Sequence, residues 1–358
     1  MPRPLKVATT AEMLLAAQLF YKEKLPKKAI APRLHTDIRG VSWLLDEAEK
    51  KGLVRIQIHQ TVESDLEHRL KTRFPHLDRV LIIPGPPVTA SHYPAFLKQA
   101  GAVTAVYFDD LVDYHKRGPL HIGITGGETL LEFVNAVPDR ERKALHIHPT
   151  ALVGRTRLHK AASHINPEIN ATILWSRSGR VPGRAEYVTV PPYEIQKPGR
   201  EARLLVANRL VELAQSKLVS SVIRPADLID VAFAGLGIVN PGANDPVPKI
   251  TMTGIVQSIV PAKTLADEGA IGDISYCLFD AEGNGRKEWE FFITAGHYEK
   301  DPKLRGIGFF KRLVAEGKKV VVIAGPYKLG TIKVALKAKM FNVWITDEAT
   351  AHQIAAAD

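Results

Sequence analysis

Residues 9–58 read TTAEMLLAAQLFYKEKLPKKAIAPRLHTDIRGVSWLLDEAEKKGLVRIQI, and this stretch predicts a compact three-helix unit followed by a strand. The first helix opens with Thr9 and Glu12, whose spacing is that of a capping box. Apolar residues then recur at helical spacing. The predicted apolar face comprises Leu14, Ala17 and Tyr21, widened by Leu15 and Leu19.

The second and third helices follow within thirty residues. A short helix is predicted to start at Pro26, where the missing N–H costs nothing, and Pro32 should end it early or cost about 3 kcal/mol. The third helix is predicted over residues 38–51 and Gly52 ends it, because glycine tolerates a positive φ. Its apolar positions are Val41, Leu44, Leu45 and Ala48. Residues 53–58 alternate with period two, which predicts a strand.

This order of elements is typical of a winged helix-turn-helix, which lays its recognition helix in the DNA major groove. A small helical cap or dimerisation module has the same pattern without binding DNA. Basic residues cluster around the turn and the strand, as phosphate contacts require, and a solvated basic face would also contain them. The predicted DNA-contacting residues are Lys27, Lys28, Thr36, Asp37, Arg39, Ser42, Trp43 and Arg55.

The length of 358 residues predicts two or three domains. No apolar run is long enough to span a bilayer, and the basic N-terminus lacks the apolar segment of a signal peptide. Cys277 is the only cysteine, so no intrachain disulfide can form and a cytoplasmic location is expected. The formal net charge of +10 favours DNA or phosphorylated metabolites as partners and does not choose between them.

A helix with a narrow apolar stripe comes next and should link two domains. Its stripe comprises Val62, Leu66, Leu70 and Phe74, and it must bury against the following domain or a second subunit. Beyond residue 79 the chain alternates predicted strands and helices, which indicates a mostly parallel α/β sheet covered on both faces. The predicted strands are 80–83, 121–125, 145–148, 187–190, 229–234, 275–280, 291–294, 320–324 and 343–346.

One strand-to-helix junction has the composition of an anion site. Residues 123–131 read GITGGETLL, in which a strand ends at Thr125, two glycines let backbone amides approach a ligand, and a helix starts at Thr129. The spacing is neither a Walker loop nor GxGxxG. A tight turn that binds nothing has the same pattern, so the motif is weak evidence by itself.

Other polar residues are expected near strand ends. Lys328 is a possible phosphate partner or a solvated surface lysine, and Asp347 is best explained as the N-cap of the last helix. Asp273 and Asp280 could hold ligand hydroxyls or a loop. His121, His146 and His148 lack a nearby carboxylate or cysteine at ligand spacing, so no metal site is predicted. Cys277, inside an apolar strand, is expected to be a packing residue.

The order of these segments resembles the SorC family of bacterial sugar-sensing transcriptional regulators over nearly the whole chain. The residues that carry the resemblance lie at 19–34, 41–45, 52–56, 123–131, 226–237, 272–274 and 343–351. The resemblance implies a winged helix-turn-helix at 1–60, a linker helix at 61–78 and a Rossmann-like effector domain at 79–358. It also implies a phosphorylated-sugar effector, no cofactor, operator DNA as a partner, and a homodimer or homotetramer.

The resemblance further implies where the effector binds. The corresponding residues are Thr125, Gly126, Gly127, Glu128, Thr129, His148, Asp273 and Lys328. Glu128 departs from the family pattern, because a carboxylate facing a phosphate would repel it, so it should point outward or the ligand should be less anionic. Trp43 also departs from it, since an indole cannot pair with a guanine edge as arginine does, but can pack against a thymine methyl.

Two further functions remain open at this stage. The chain could be a sugar-phosphate isomerase or deaminase with a helical appendage, for which Glu128, Asp227 or Asp273 would be the general base. It could also be a regulator that has lost effector binding and represses constitutively. Turnover of sugar phosphates without DNA binding would favour the enzyme.

Overall fold

The structure is a computed structural model that describes residues 9–23, 25–51, 53–54, 64–115, 120–140, 147–151, 167–178, 199–217, 219, 227–239, 260–294 and 296–356. Its internal contacts divide the chain into two units, Met1–His59 and Gln60–Asp358. No helix in the described part of the chain is long and apolar enough to cross a membrane.

The described part of the N-terminal unit contains helices α1 (Thr10–Ala17), α2 (Lys27–Arg33) and α3 (Ile38–Lys50), with a π-helical turn over Gln18–Lys22. The predicted capping box at the start of α1 is present. The predicted apolar face of α3 is confirmed, since all four of its residues are buried. The predicted strand at 53–58 and Arg55 lie largely outside the described residues.

The predicted apolar face of α1 is wrong at two positions. Leu14 and Leu15 are 40% and 44% exposed. The buried residues are Met13, Ala16, Ala17 and Leu19, with Phe20 packed against them. Met13, Ala16, Ala17 and Phe20 also follow the i, i+3, i+4, i+7 pattern. The helical period therefore allowed two neighbouring faces, and packing of α1 against α3 selected one of them.

The turn between α2 and α3 follows from local sequence. Helix α2 ends one residue after Pro32, as expected for a proline that interrupts helical hydrogen bonding. The carboxylate of Asp37 accepts a hydrogen bond from the Gly40 N–H at 2.7 Å and so caps α3. A side chain on Gly40 would collide with Thr36, because an added Cβ would lie 1.9 Å from the Thr36 hydroxyl oxygen.

The C-terminal unit is built on a mixed sheet. Its described strands are β1 (Arg79–Ile83), β2 (Leu120–Ile124), β3 (Ile147–Ala151), β4 (Val231–Ile238), β5 (Gly272–Ile274), β6 (Cys277–Phe279), β7 (Lys319–Ile323) and β8 (Val343–Asp347). Six strands are parallel in the order β1-β8-β7-β4-β2-β3, and the β5–β6 hairpin pairs antiparallel with the end of β4. The predicted mostly parallel α/β architecture is confirmed.

Helices cover both faces of this sheet. Helices α5 (Tyr93–Tyr114), α6 (Glu128–Ala136) and α7 (Pro167–Arg177) pack on one face. Helices α4 (Ser64–Arg73), α9 (Ala262–Asp267), α10 (Ile307–Ala315), α11 (Leu329–Lys337) and α12 (Glu348–Ala356) pack on the other, and α8 spans Arg200–Gln215. Along β4, Val231 and Phe233 enter the first core whereas Ala232 and Ala234 enter the second. Burial on both faces explains the nearly continuous apolar strands.

The helix expected to link the domains packs on the C-terminal unit. Leu66, Leu70 and Phe74 of α4 are buried in the same core as Val80 and Ile82. Of the two alternatives for its apolar stripe, the structure therefore supports burial against the following domain. Val62 lies outside the described residues.

Three predicted strands need correction. Residues 291–294 are buried but form no strand, and within them Thr294 alone makes a β-bridge. Apolar composition predicts burial and does not by itself predict strand pairing. The strand expected at 145–148 is β3, which runs from Ile147 to Ala151. The strand expected at 275–280 begins with the turn of the β5–β6 hairpin, in which Ser275 and Tyr276 both have positive φ. The predicted strand at 187–190 lies outside the described residues.

Candidate functional sites

The carboxyl end of β2 lies beside β4, and we call this edge of the sheet the crevice. These neighbouring strands lead to opposite faces of the sheet, since β2 continues into α6 on one face and β4 pairs with the β5–β6 hairpin on the other. Such a switch point is where open α/β sheets bind ligands. Thr125 is buried there, and its hydroxyl oxygen accepts a hydrogen bond from the Gly235 N–H at 3.3 Å.

The loop after β2 presents backbone donors to this crevice. Gly127 is the N-cap of α6 with φ +113°, a conformation that favours glycine, and an added Cβ would meet nothing within 4 Å. Gly126 is buried, and Thr129 is half-buried in the first turn of α6. Among the residues that the structure describes, no side chain caps this helix, so its first N–H groups can receive an anion.

Lys328 reaches the same crevice from the loop after β7. Its ammonium group is buried and donates a hydrogen bond to the Leu236 carbonyl oxygen at 2.6 Å. Burial lowers the pKa of Lys328, and the negative charges of Asp273 and Glu128 partly offset this effect. The surface-lysine alternative is therefore wrong. Lys328 therefore interacts electrostatically with two other predicted effector residues, Asp273 and Glu128, which come from separate segments of the chain.

Asp273 is held between β4 and the hairpin turn. One of its carboxylate oxygens accepts the Tyr276 N–H at 3.0 Å. Burial raises the pKa of Asp273 to about 6, whereas this hydrogen bond and the charge of Lys328 act in the opposite direction. Glycine at position 237 makes room for the carboxylate, since an added Cβ would lie 1.9 Å from Asp273 Oδ1.

Glu128 contributes its charge to the crevice. It is half-buried at the first position of α6 and lies close enough to Lys328 to raise the pKa of that ammonium group. This effect places negative charge near the ammonium group without fixing the direction of the carboxylate, so both sequence-based alternatives for Glu128 remain predictions.

His148 lies at a different position in the sheet from the one predicted from the sequence. It is the second residue of β3 and lies opposite His121 of β2, three residues before the end of β2 at Ile124. The predicted strand 145–148 placed His148 at its carboxyl end, and this is wrong, because β3 starts and ends later than its apolar pattern suggested. At about 3.3 Å per residue, the His148 backbone lies roughly 10 Å below the carboxyl edge of the sheet.

Other predicted polar residues have structural roles. Asp347 caps the last helix by accepting the Thr350 N–H at 2.9 Å, as expected. Asp280 holds a turn through the N–H groups of Glu282 and Asn284. Asp227, one of the candidate bases, is paired with Arg312 at 3.0 Å. Within the described residues, no cluster of three histidine, cysteine or acidic side chains could hold a metal ion.

Asn170 is a candidate site residue that sequence reasoning missed. It is fully buried on α7, and its amide N–H donates to the Thr125 carbonyl oxygen at 2.9 Å. Its amide oxygen has no hydrogen-bond partner among the described residues. In the sequence, the only feature that could have indicated Asn170 was a polar residue among the apolar positions of a helix. Its contact with Thr125 depends on how the chain folds, so the sequence does not show it.

Helix α3 presents a mixed surface to solvent in the N-terminal unit. Trp43 is 40% exposed, and Arg39 and Lys28 are also exposed. Lys27 is bound internally, since its ammonium group donates to the Ser42 hydroxyl at 3.0 Å. Of the eight predicted DNA-contacting residues, Asp37 and Thr36 support the turn and Arg55 lies outside the described residues.

Comparisons with known proteins agree with this architecture. The Sugar-bind family model, which describes a sugar-binding domain, matches residues 59–356. The full-length sorbitol operon regulator SorC from Klebsiella pneumoniae is similar, with a TM-score of 0.63 and 18% identity over 98% of this chain and 100% of that one. No curated protein sequence matched the chain.

Two further solved structures are similar to most of the chain. A DeoR family transcriptional regulator from Listeria monocytogenes has a TM-score of 0.58 and 18% identity, over 81% of this chain and 98% of that one. A transcriptional regulator from Streptococcus pneumoniae has the same TM-score and identity, over 81% of this chain and 95% of that one. At this identity the likenesses establish the fold.

Proposed function

The chain belongs to the Sugar-bind family of sugar-binding domains, and from this premise we propose that it is a DNA-binding transcriptional regulator of carbohydrate metabolism. Its operator binding is controlled by a small phosphorylated sugar or related effector. The proposal rests on the presence, in one chain, of helix α3 with an exposed outer side and of a domain of this family in which β2 ends beside β4.

The proposed effector binds at the carboxyl edge of β2 and β4. Its phosphate lies against the N–H groups of Gly127 and the first turn of α6, with the Thr129 hydroxyl as a further donor. Lys328 supplies the neutralising charge, and Asp273 accepts from a sugar hydroxyl. The free amide oxygen of Asn170 offers a second acceptor next to Thr125.

The proposed DNA contact is made by the exposed side of α3. Arg39 lies in its first turn, where a guanidinium group can reach a base edge or a phosphate. Trp43 lies one turn later, and its exposed indole offers an apolar surface to a thymine methyl group. Lys28 is exposed on α2 and can neutralise a backbone phosphate.

An effector can control operator binding only if it binds two subunit arrangements with different affinities. We propose that the chain acts as a homodimer or homotetramer in which paired α3 helices match two operator half-sites. An effector that binds one subunit arrangement more tightly shifts the population toward it and changes operator affinity. An effector with equal affinity for both arrangements would have no effect.

The proposal is tested with the full chain in two steps. Operator candidates are selected from a pool of random duplex DNA, and the recovered sequence is then titrated with a panel of sugar phosphates. We expect a specific duplex to be recovered and at least one sugar phosphate to change its dissociation constant. Turnover of a sugar phosphate, together with failure to recover any duplex, would instead support the enzyme.

Two substitutions should distinguish the proposed DNA-binding site from the proposed effector site. Arg39→Ala should weaken operator binding about tenfold, since one base contact contributes about 1–3 kcal/mol, and leave effector affinity unchanged. Thr129→Val should weaken effector binding about tenfold through loss of one hydroxyl donor and leave effector-free operator affinity unchanged. Fluorescence anisotropy and calorimetry measure the two affinities. Equal losses of both affinities in either variant would contradict the assignment.

A further inference from the structure

A cavity of about 550 Å³ lies in the C-terminal unit outside the candidate effector crevice. Its wall is formed by β6, by residues 283–294 and by the segment that leads into α10. None of the predicted effector residues lines it. Its volume falls within the range of about 300–1,000 Å³ that small-molecule sites occupy.

The lining of this cavity carries an excess of positive charge. Glu290 is the single carboxylate among the described residues that line it. The basic side chains of the lining are Arg286, Lys287, Lys303, Arg305 and Lys311. None of these five cations takes part in an ion pair of the described residues.

Two of the cations are fixed in place by backbone carbonyl groups. Arg305 donates to the Glu299 carbonyl oxygen at 2.7 Å and to the Lys300 carbonyl oxygen at 3.0 Å. Lys311 donates to the Gly283 carbonyl oxygen at 2.9 Å, and partial burial lowers its pKa. Partly desolvated cations without a bound carboxylate favour an anion in the adjoining space, where a charge-assisted hydrogen bond is strong.

Glu290 lies next to a buried histidine. His297 is 1% exposed, and its Nδ1 accepts the Thr294 N–H at 3.0 Å, so the proton of the neutral ring is on Nε2. This Nε2 lies 3.4 Å from Glu290 Oε2, and neither atom has a hydrogen-bond partner among the described residues. The Glu290 side chain is 25% exposed, so its remaining carboxylate surface is an acceptor for a ligand hydroxyl.

We infer that this cavity binds a second small molecule, a hydroxylated phosphate ester whose phosphate meets the cations and whose hydroxyls donate to Glu290. Buried aromatic rings of Phe291 and Phe292 also line the cavity and can pack against the carbon skeleton. The site is additional to the proposed effector crevice and does not depend on it. The ligand class follows from the combination of two cations held by backbone carbonyl groups, one partly exposed carboxylate and an apolar wall.

The two sites share one turn, so each must be measured separately. Tyr276 lines the cavity, and its N–H donates to the Asp273 carboxylate of the crevice. The preceding N–H, of Ser275, donates to the Gly235 carbonyl oxygen at 3.0 Å. A substitution on either side could therefore alter the other site through this turn.

Equilibrium dialysis of the full chain with radiolabelled glucose 6-phosphate tests the inference. We expect two binding sites per chain in the unsubstituted protein. Lys303→Ala and Glu290→Gln should each weaken one site about tenfold through loss of a charged hydrogen-bond partner, while Thr129→Val weakens the other. Lys303 is exposed, so its truncation should leave the fold intact, and Lys98→Ala is a matched control on the exposed surface of α5.

The possible dialysis outcomes distinguish the two proposals. A single site that responds only to Thr129→Val, or no saturable binding at all, would overturn the cavity site. A single site that responds only to Lys303→Ala and Glu290→Gln would support the cavity and contradict the effector crevice. Retention of both sites in the Lys303→Ala and Glu290→Gln variants would also reject the inference.

The alkylation rate of Cys277 tests whether the ligand binds in the cavity. It is the only cysteine of the chain and lines the cavity. Burial raises the pKa of its thiol to about 12, so alkylation by iodoacetamide should be slow. Glucose 6-phosphate should slow it further, as measured by intact mass, and Lys303→Ala should weaken this protection about tenfold. An unchanged alkylation rate at saturating glucose 6-phosphate would place the ligand elsewhere.

Discussion

Asp273 and Lys328 illustrate how single residues define the crevice. Both are buried and both carry charges that the interior disfavours, so each depends on its neighbours for stabilisation. Asp273 receives the Tyr276 N–H, and Lys328 donates to the Leu236 carbonyl oxygen. Buried titratable groups of this kind cluster at binding sites more often than elsewhere, because binding requires charges that folding alone would avoid.

Asp273→Asn should remove a pH dependence of stability. Between about pH 4 and about pH 6 the unfolded chain loses the Asp273 proton while the folded chain keeps it, so the free energy of unfolding falls as pH rises. A pKa raised from 3.8 to about 6 corresponds to a loss of about 3 kcal/mol, which is complete above about pH 6. Asparagine can still accept the Tyr276 N–H.

Urea unfolding of the two proteins at about pH 4.5 and about pH 7.5 measures this effect. The stability of the Asn variant relative to the unsubstituted protein should be higher at about pH 7.5 than at about pH 4.5. An equal difference at both pH values would mean that Asp273 titrates normally in the folded chain.

Helices α5 and α6 pack closely against each other on the face of the sheet next to the crevice. Gly101 of α5 lies against α6, and an added Cβ would come within 2.6 Å of the Glu132 carbonyl carbon. Because α6 starts at the glycine-rich loop after β2, this contact helps to set where its first N–H groups point. Gly330, in contrast, lies in the first turn of α11 with nothing within 4 Å of an added Cβ.

Gly101→Ala and Gly330→Ala should therefore have opposite effects on stability. The first forces two backbones apart and should lower the free energy of unfolding by about 1–3 kcal/mol. The second reduces the freedom of the unfolded chain without a collision and should raise it by about 0.4–1 kcal/mol. Urea unfolding of both variants provides the comparison. A neutral Gly101→Ala would show that α5 and α6 can separate without cost.

Some helices and strands were predicted correctly from the sequence and others were not, and the difference has physical causes. Helix α3 was predicted because its four buried residues form one unambiguous stripe. The face of α1 was misassigned because apolar residues occupy more than half of its circumference. Residues 291–294 were misassigned because apolar composition reports burial, whereas a strand also needs a partner with free backbone groups.

At the scale of the whole molecule, charge should govern DNA binding. The formal net charge is +10, and exposed basic residues such as Lys28 lie in the N-terminal unit. Each neutralised phosphate releases counterions, so affinity falls as salt rises.

Operator affinity should therefore fall by about three to five orders of magnitude between about 50 mM and about 200 mM NaCl if about six to ten phosphates are contacted. Lys28→Ala should reduce the slope of log affinity against log salt by about 1, and Lys98→Ala, in the C-terminal unit, should leave it unchanged. Anisotropy titrations at several salt concentrations give both slopes. An identical slope for Lys28→Ala and the unsubstituted chain would exclude a phosphate contact by Lys28.

The sequence alone determined the fold class, the helix-turn-helix elements and the glycine-rich loop after β2. These features depend on local periodicity, caps and turn residues, which the chain carries in neighbouring positions. The tertiary structure decided which distant residues meet: Lys328 with Leu236, Asn170 with Thr125, and His148 away from the crevice edge. Those contacts join segments tens of residues apart, and only strand order and register bring them together.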